Sequence, residues 1–209
     1  MRCVIISGSP DTDISFIKQV VKSNDYVICA DQGYHFAKEA NINPDLIIGD
    51  FDSCPDKIPN DGEIIRLVPE KDDSDTAHCV EVALNRGFDD IILLGAVGGR
   101  TDHTLANLSI LLYIANRGAK GILLSNSEKI MLLQKGKYSF SHLNGKTFSL
   151  FPFGCKKVCV SYSGVKYMLN HQFIFSETSS LGLSNIFTSN DSEIYIHDGD
   201  ALLIINSKI

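Results

Sequence analysis

Four short segments concentrate the side chains that could manage a polyanion and a metal. They are Asp31-Gln32-Gly33, Asp50-Phe51-Asp52-Ser53, Asp72-Asp73-Ser74-Asp75 and Gly98-Gly99-Arg100-Thr101-Asp102-His103. In Asp50-Phe51-Asp52 the carboxylates stand two residues apart. On extended backbone such residues point to the same side, with Cα atoms roughly 6.5–7 Å apart. Both stay ionised cheaply only if a cation lies between or beside them. Mg²⁺ suits that place, because it takes oxygen ligands at about 2.1 Å and shares its shell with substrate phosphates. Taken singly, each aspartate reads better as a turn or helix cap. Converging on one edge of a sheet, they read as a metal–polyphosphate site.

The Gly98–His103 segment adds positive charge. Two glycines let backbone approach a ligand, and a following helix offers N–H groups and a positive dipole end to phosphate. Arg100 brings a forked donor for phosphate oxygens. Asp102 and His103 could orient a hydroxyl or the nucleotide. A tight structural turn explains the same letters nearly as well. No G-x-x-x-x-G-K-[ST] and no G-x-G-x-x-G at a first strand is present, so neither a P-loop nor a dinucleotide fingerprint applies.

The elements that must position these groups follow from hydrophobic texture. Cys3–Ser7, Tyr26–Ala30, Leu46–Gly49, Ile91–Gly95 and Gly121–Ser125 are near-continuous apolar runs, the pattern of strands covered on both faces. Helical patterns at 14–23, 33–40, 75–86 and 103–116 alternate with them. In the last, Leu105, Leu108, Leu112 and Ala115 recur at helical spacing and are expected to face the sheet. Gly87 and Gly118 are expected as C-caps. This alternation predicts an α/β fold with a doubly wound, mostly parallel sheet over residues 1–126. Ligands bind such sheets at the carboxyl ends of the strands, where the aspartates lie. Over 127–209 the runs Lys146–Phe151, Lys157–Tyr162 and Glu193–Ile196 alternate polar and apolar residues, predicting a smaller all-β sandwich domain. Asp198-Gly199 between Glu193–His197 and Ala201–Ile205 reads as a hairpin turn.

Bulk properties narrow the partners. The 209 residues are 44% hydrophobic and 21% charged, with a formal net charge of -6 and no Lys/Arg cluster. Nucleic-acid binding usually needs a basic stripe, so no nucleic-acid partner is expected. Cys3, Cys29, Cys54, Cys79, Cys155 and Cys159 form no C-x-x-C pair, and most lie in apolar stretches, which suits a reducing, cytoplasmic setting. Cys155 and Cys159 have ligand-like spacing but no matching partner set, which argues against zinc. Neither a secretion signal nor a membrane span is expected.

In order and spacing these four segments resemble the thiamine pyrophosphokinases, and Gly182-Leu183-Ser184-Asn185 matches that family's Ser-Asn segment. The resemblance spans nearly the whole chain and implies transfer of the pyrophosphoryl group of ATP to the hydroxyl of thiamine, with AMP leaving. It implies Asp50, Asp52 and Asp75 as Mg²⁺ ligands and catalytic groups and Asp102 as a nucleotide-side contact; the mechanism also asks for a carboxylate near the hydroxyl to accept its proton, for which Asp102 is the candidate. Asp31, Asp72, Arg100 and His103 become ATP contacts; Tyr167, Ser184 and Asn185 become thiamine contacts. It further implies a homodimer. The sequence departs from the family in three places. Asp31-Gln32-Gly33 stands where a Gly-Gly pair is common, Ser74 replaces Thr, and Tyr167 replaces the Trp of some members. Two rival readings are a Mg²⁺-dependent transferase acting on another alcohol, and a nucleotide or thiamine sensor without turnover.

Overall fold

A computed structural model of the chain describes residues 1–51, 62–68 and 74–206, with the side chain of Ser179 excepted. Asp52 and Asp72 lie outside the described residues. The chain divides into two compact units, Met1–Ser125 and Asn126–Ile209.

Unit 1 alternates strands and helices. Its strands are β1 (Arg2–Ile6), β2 (Tyr26–Ala30), β3 (Leu46–Gly49), β4 (Glu63–Arg66), β5 (Asp90–Leu94) and β6 (Lys120–Leu124); its helices are α1 (Ile14–Val20), α2 (Gly33–Glu39), α3 (Asp75–Asn85) and α4 (Thr101–Asn116). All described strand pairs in this unit are parallel, in the order β4-β3-β2-β1-β5-β6. Both sheet faces are covered, which explains the continuous apolar runs. Val4, Ile6, Val27, Cys29, Ile47, Ile92 and Leu94 pack with Ile17 of α1 and Ala37 of α2. The intervening Cys3, Ile5, Ile28 and Leu93 are equally buried and face the other way, where α3 crosses β1 to β3 and α4 packs on α3 and β6. Full burial of each aliphatic side chain contributes roughly 1.5–3 kcal/mol.

Three expectations need comment. β4 was not anticipated, because Glu63-Ile64-Ile65-Arg66 is half-exposed, charged at both ends and paired on one side, so it lacks the buried-run signal. The stripe on α4 is corrected: Asn107, Ile110, Leu111 and Ile114 are buried, whereas Leu105 is 60% exposed. The helix is apolar nearly all round, so period alone does not choose the face. Gly87 and Gly118 do cap their helices, with φ of 84° and 77°; the N–H groups of Phe88 and Ala119 donate back to Ala83 and Ile114 carbonyls.

Unit 2 is a sandwich of two antiparallel sheets. Its strands are β7 (Glu128–Leu133), β8 (Gly136–Phe140), β9 (Thr147–Pro152), β10 (Lys157–Ser163), β11 (Leu169–Phe175), β12 (Asn185–Ile186), β13 (Ser192–Asp198) and β14 (Ala201–Asn206). One sheet runs β12-β9-β14-β7 and the other β11-β10-β13-β8. Phe148, Phe187 and Tyr162 anchor the shared core, the two phenylalanine rings 4.5 Å apart. The hairpin expected at Asp198-Gly199 is not a hairpin. β13 is flanked by β10 and β8, and β14 by β7 and β9, so neither strand keeps an edge for the other. The turn signal marks a reversal that carries the chain from one sheet to the other.

Candidate active site

In unit 1 the chain steps from β1 toward β4 in one direction and from β5 to β6 in the other. The crevice between the carboxyl ends of β1 and β5 is therefore the switch point, where open α/β sheets bind ligands. A cleft of about 550 Å³ opens there. Asp31, Asp50, Asp75, Arg100 and His103 all line it. Three of these acidic residues come from different element ends far apart in sequence.

Local folding explains each placement. Asp31 follows β2 at φ 45°, with its N–H donating to the Ile48 carbonyl at 2.8 Å. Gly33 opens α2, and a Cβ there would lie 1.9 Å from the Ile6 carbonyl oxygen. That contact accounts for the glycine in Asp31-Gln32-Gly33: the helix start is pressed onto the end of β1. Asp50 follows β3. Asp75 is the first residue of α3, whose N-cap Ser74 accepts the Ala77 N–H at 3.2 Å, so serine in place of threonine keeps the cap.

The Gly-Gly loop behaves differently from the expected phosphate cradle. The Gly98 N–H donates to Thr104 Oγ1 at 3.3 Å, and the Gly99 N–H to Asp11 Oδ2 at 2.8 Å. Both amides thus have partners within the protein. Arg100 pairs through Nε and Nη2 with the Asp102 carboxylate at 3.1 and 2.7 Å, on a largely exposed surface. The hydrogen bonds from Arg100, helped by the His103 N–H, lower the Asp102 pKa to about 2. Asp102 does not line the cleft, and this pairing makes it a weak base.

Several cleft residues were not singled out from sequence. Ser7 and Thr76 join hydroxyls at 2.9 Å in the buried floor, Ser9 Oγ donates to the Val97 carbonyl, and buried Asn107 donates to the Ala96 carbonyl at 2.7 Å. Their signal was positional: Ser7-Gly8-Ser9-Pro10 follows β1 at the switch point, and Asn107 is a polar residue on a buried helical face.

Unit 2 brings together Tyr167, Ser184 and Asn185. Asn185 is 5% exposed and clamps the backbone of Tyr167: its Oδ1 accepts the Tyr167 N–H at 3.0 Å and its Nδ2 donates to the Tyr167 carbonyl at 2.8 Å. The Ile186 N–H also donates to Oδ1. Tyr167 itself is 56% exposed. Ser184 is exposed at φ 58°, a left-handed conformation uncommon outside glycine and asparagine, with its N–H on Ser149 Oγ.

Among the described residues no group of three His, Cys, Asp or Glu side chains is arranged around a metal position. Asp50 and Asp75 in one cleft still suit Mg²⁺, which binds through one or two carboxylates and completes its shell with phosphate and water.

Fold and cleft together define an α/β domain with a ligand cleft at its switch point, followed by a β-sandwich. The chain belongs to the thiamin pyrophosphokinase family, whose catalytic-domain model matches residues 17–123 and whose vitamin B1 binding-domain model matches residues 134–202. Thiamine pyrophosphokinase of Bacillus subtilis is 28% identical over 187 residues, covering 87% of each chain. Thiamin pyrophosphokinase 1 of Caenorhabditis elegans is 22% identical, over 92% of this chain and 86% of that protein. A crystal structure of the Bacillus subtilis thiamine pyrophosphokinase has the same fold, with a TM-score of 0.90 at 23% identity and full coverage of both chains. No helix among the described residues is long and apolar enough to cross a membrane.

Proposed function

We propose that the chain transfers the pyrophosphoryl group of ATP to the hydroxyl of thiamine, giving thiamine diphosphate and AMP, and that the switch-point cleft of unit 1 holds the nucleotide. The reaction is that of the family to which the chain belongs. The observation that carries the site assignment is the gathering of Asp31, Asp50 and Asp75 with Arg100 and His103 around one cleft.

Transfer of this kind depends mainly on positioning and on neutralising charge. Asp50 and Asp75, with Asp52 beyond the described residues, would hold Mg²⁺, which when bound draws phosphate oxygens together and offsets their charge. Arg100 supplies a forked donor for phosphate oxygens, and Asp102 holds its guanidinium in place through two hydrogen bonds. Asp31, Asp72 and His103 complete the nucleotide contacts. In unit 2 the exposed Tyr167 ring is the stacking surface for thiamine. Asn185 holds the backbone of Tyr167 through two hydrogen bonds, and Ser184, next to Asn185 in the chain, is a further thiamine contact. The same reading makes the chain a homodimer working in the cytoplasm, where the free thiols of Cys3, Cys155 and Cys159 stay reduced.

The test is product analysis after incubation with ATP, Mg²⁺ and thiamine. AMP and thiamine diphosphate in equal amounts are expected. AMP formed only with another alcohol would point to a different transferase, and tight binding without AMP to a sensor.

A further inference from the structure

The two loops that flank the switch point are laced together, and one residue of that lacing stands outside every site assignment above. From the loop after β1, the Ser9 N–H donates to the Gly95 carbonyl at 2.9 Å and Ser9 Oγ to the Val97 carbonyl at 2.7 Å. Asp11 then reaches the loop after β5, where its Oδ2 accepts the Gly99 N–H at 2.8 Å. Gly98 sits at φ 99°, and a Cβ on it would lie 2.4 Å from that same Asp11 oxygen. A Cβ on Gly99 would meet the Pro10 ring at 2.7 Å. Pro10-Asp11 and Gly98-Gly99 are therefore a matched pair. The glycines leave room for the proline ring and the carboxylate, and the carboxylate ties down the amide next to Arg100.

We propose that Asp11 is a positioning residue for the transfer reaction: by holding the Gly99 amide it fixes where Arg100 leaves the loop and so sets the reach of its guanidinium toward the nucleotide. The proposal rests on the reading of the cleft as the ATP site. Asp11 itself does not line the cleft. A carboxylate is effective here because a hydrogen bond with one charged partner is roughly twice as strong as a neutral one. The Gly99 amide, held in this way, is not a phosphate donor; phosphate recognition from this loop falls to Arg100.

The test compares Asp11→Ala, Asp11→Asn and Arg100→Ala in steady-state assays of AMP formation, with thermal melting of each protein. Asp11→Ala is expected to raise the KM for ATP about tenfold, the loss associated with one charge-assisted hydrogen bond, with the KM for thiamine nearly unchanged. Asp11→Asn keeps a neutral oxygen acceptor for the Gly99 N–H and is expected to recover part of that loss, leaving the KM for ATP about threefold raised. Arg100→Ala is expected to raise the KM for ATP at least as much. An Asp11→Ala protein that melts earlier but keeps its KM for ATP would reduce Asp11 to a structural residue and overturn the proposal. So would an asparagine variant as impaired as the alanine one, since the charge and not the bond would then matter. If Arg100→Ala also leaves the KM for ATP unchanged, the assignment of the cleft falls first, and the positioning role falls with it.

Discussion

Replacing Asn185 by alanine separates a structural clamp from a simple surface ligand. The side chain is 5% exposed and makes three hydrogen bonds to backbone: the N–H and carbonyl of Tyr167 and the N–H of Ile186. Each such bond contributes a net 0.5–1.5 kcal/mol, so the variant should lose about 2–4 kcal/mol. The upper part of that range applies if the Tyr167 groups stay buried without partners. Urea unfolding followed by circular dichroism measures this directly, tryptophan being absent from the chain. Calorimetric titration should show thiamine binding weakened at least tenfold while ATP binding changes little, because the freed backbone no longer holds the Tyr167 ring. A variant within about 0.5 kcal/mol of the parent, with thiamine affinity intact, would refute both the clamp and its link to the vitamin.

Two further perturbations probe the scaffold. Gly33→Ala places a methyl 1.9 Å from the Ile6 carbonyl oxygen, a contact with rigid backbone on both sides. It should cost about 3 kcal/mol or more, read as a lowered melting temperature, whereas tolerance would mean that α2 shifts freely on β1. In unit 2 the His197 ring stacks on His171 at 3.7 Å, and desolvation together with the charge of His171 lowers its pKa. The unfolded chain then binds more protons than the folded one as pH falls below about 6.5, so this contribution to stability is present above that value and lost beneath it. His171→Ala should raise the His197 pKa toward the ordinary histidine value in an NMR titration; an unchanged midpoint would contradict the coupling.

What could be read from sequence depended on whether the signal was local. The apolar runs mark β1, β2, β3 and β5 because burial on both faces leaves a continuous trace, and β6 carries a similar run although only Leu123 in it is fully buried. β4 leaves none, since its Glu63 and Arg66 are at ease on an outer strand. Asp31, Asp50, Asp75, Arg100 and His103 stood out because carboxylates and arginine are conspicuous after strand ends, and the topology brings those ends to one cleft. Asp11, Ser7, Thr76 and Asn107 were silent for the opposite reason. Their partners lie 88, 69, 69 and 11 residues away, and nothing near them in the chain names those partners. Asn185 was legible as a member of a motif, but not as the clamp on a residue 18 positions earlier. The face of α4 and the partners of β13 and β14 were likewise decided by packing, which local period and turn chemistry do not record.

The most direct measurement is a crystal structure with Mg²⁺ and a non-hydrolysable ATP analogue. The expected result is one divalent ion at about 2.1 Å from carboxylate oxygens of Asp50 and Asp75, bridging to phosphate oxygens with Arg100 alongside. A nucleotide seated elsewhere, or phosphates in the cleft with both aspartates turned away from the metal, would contradict it.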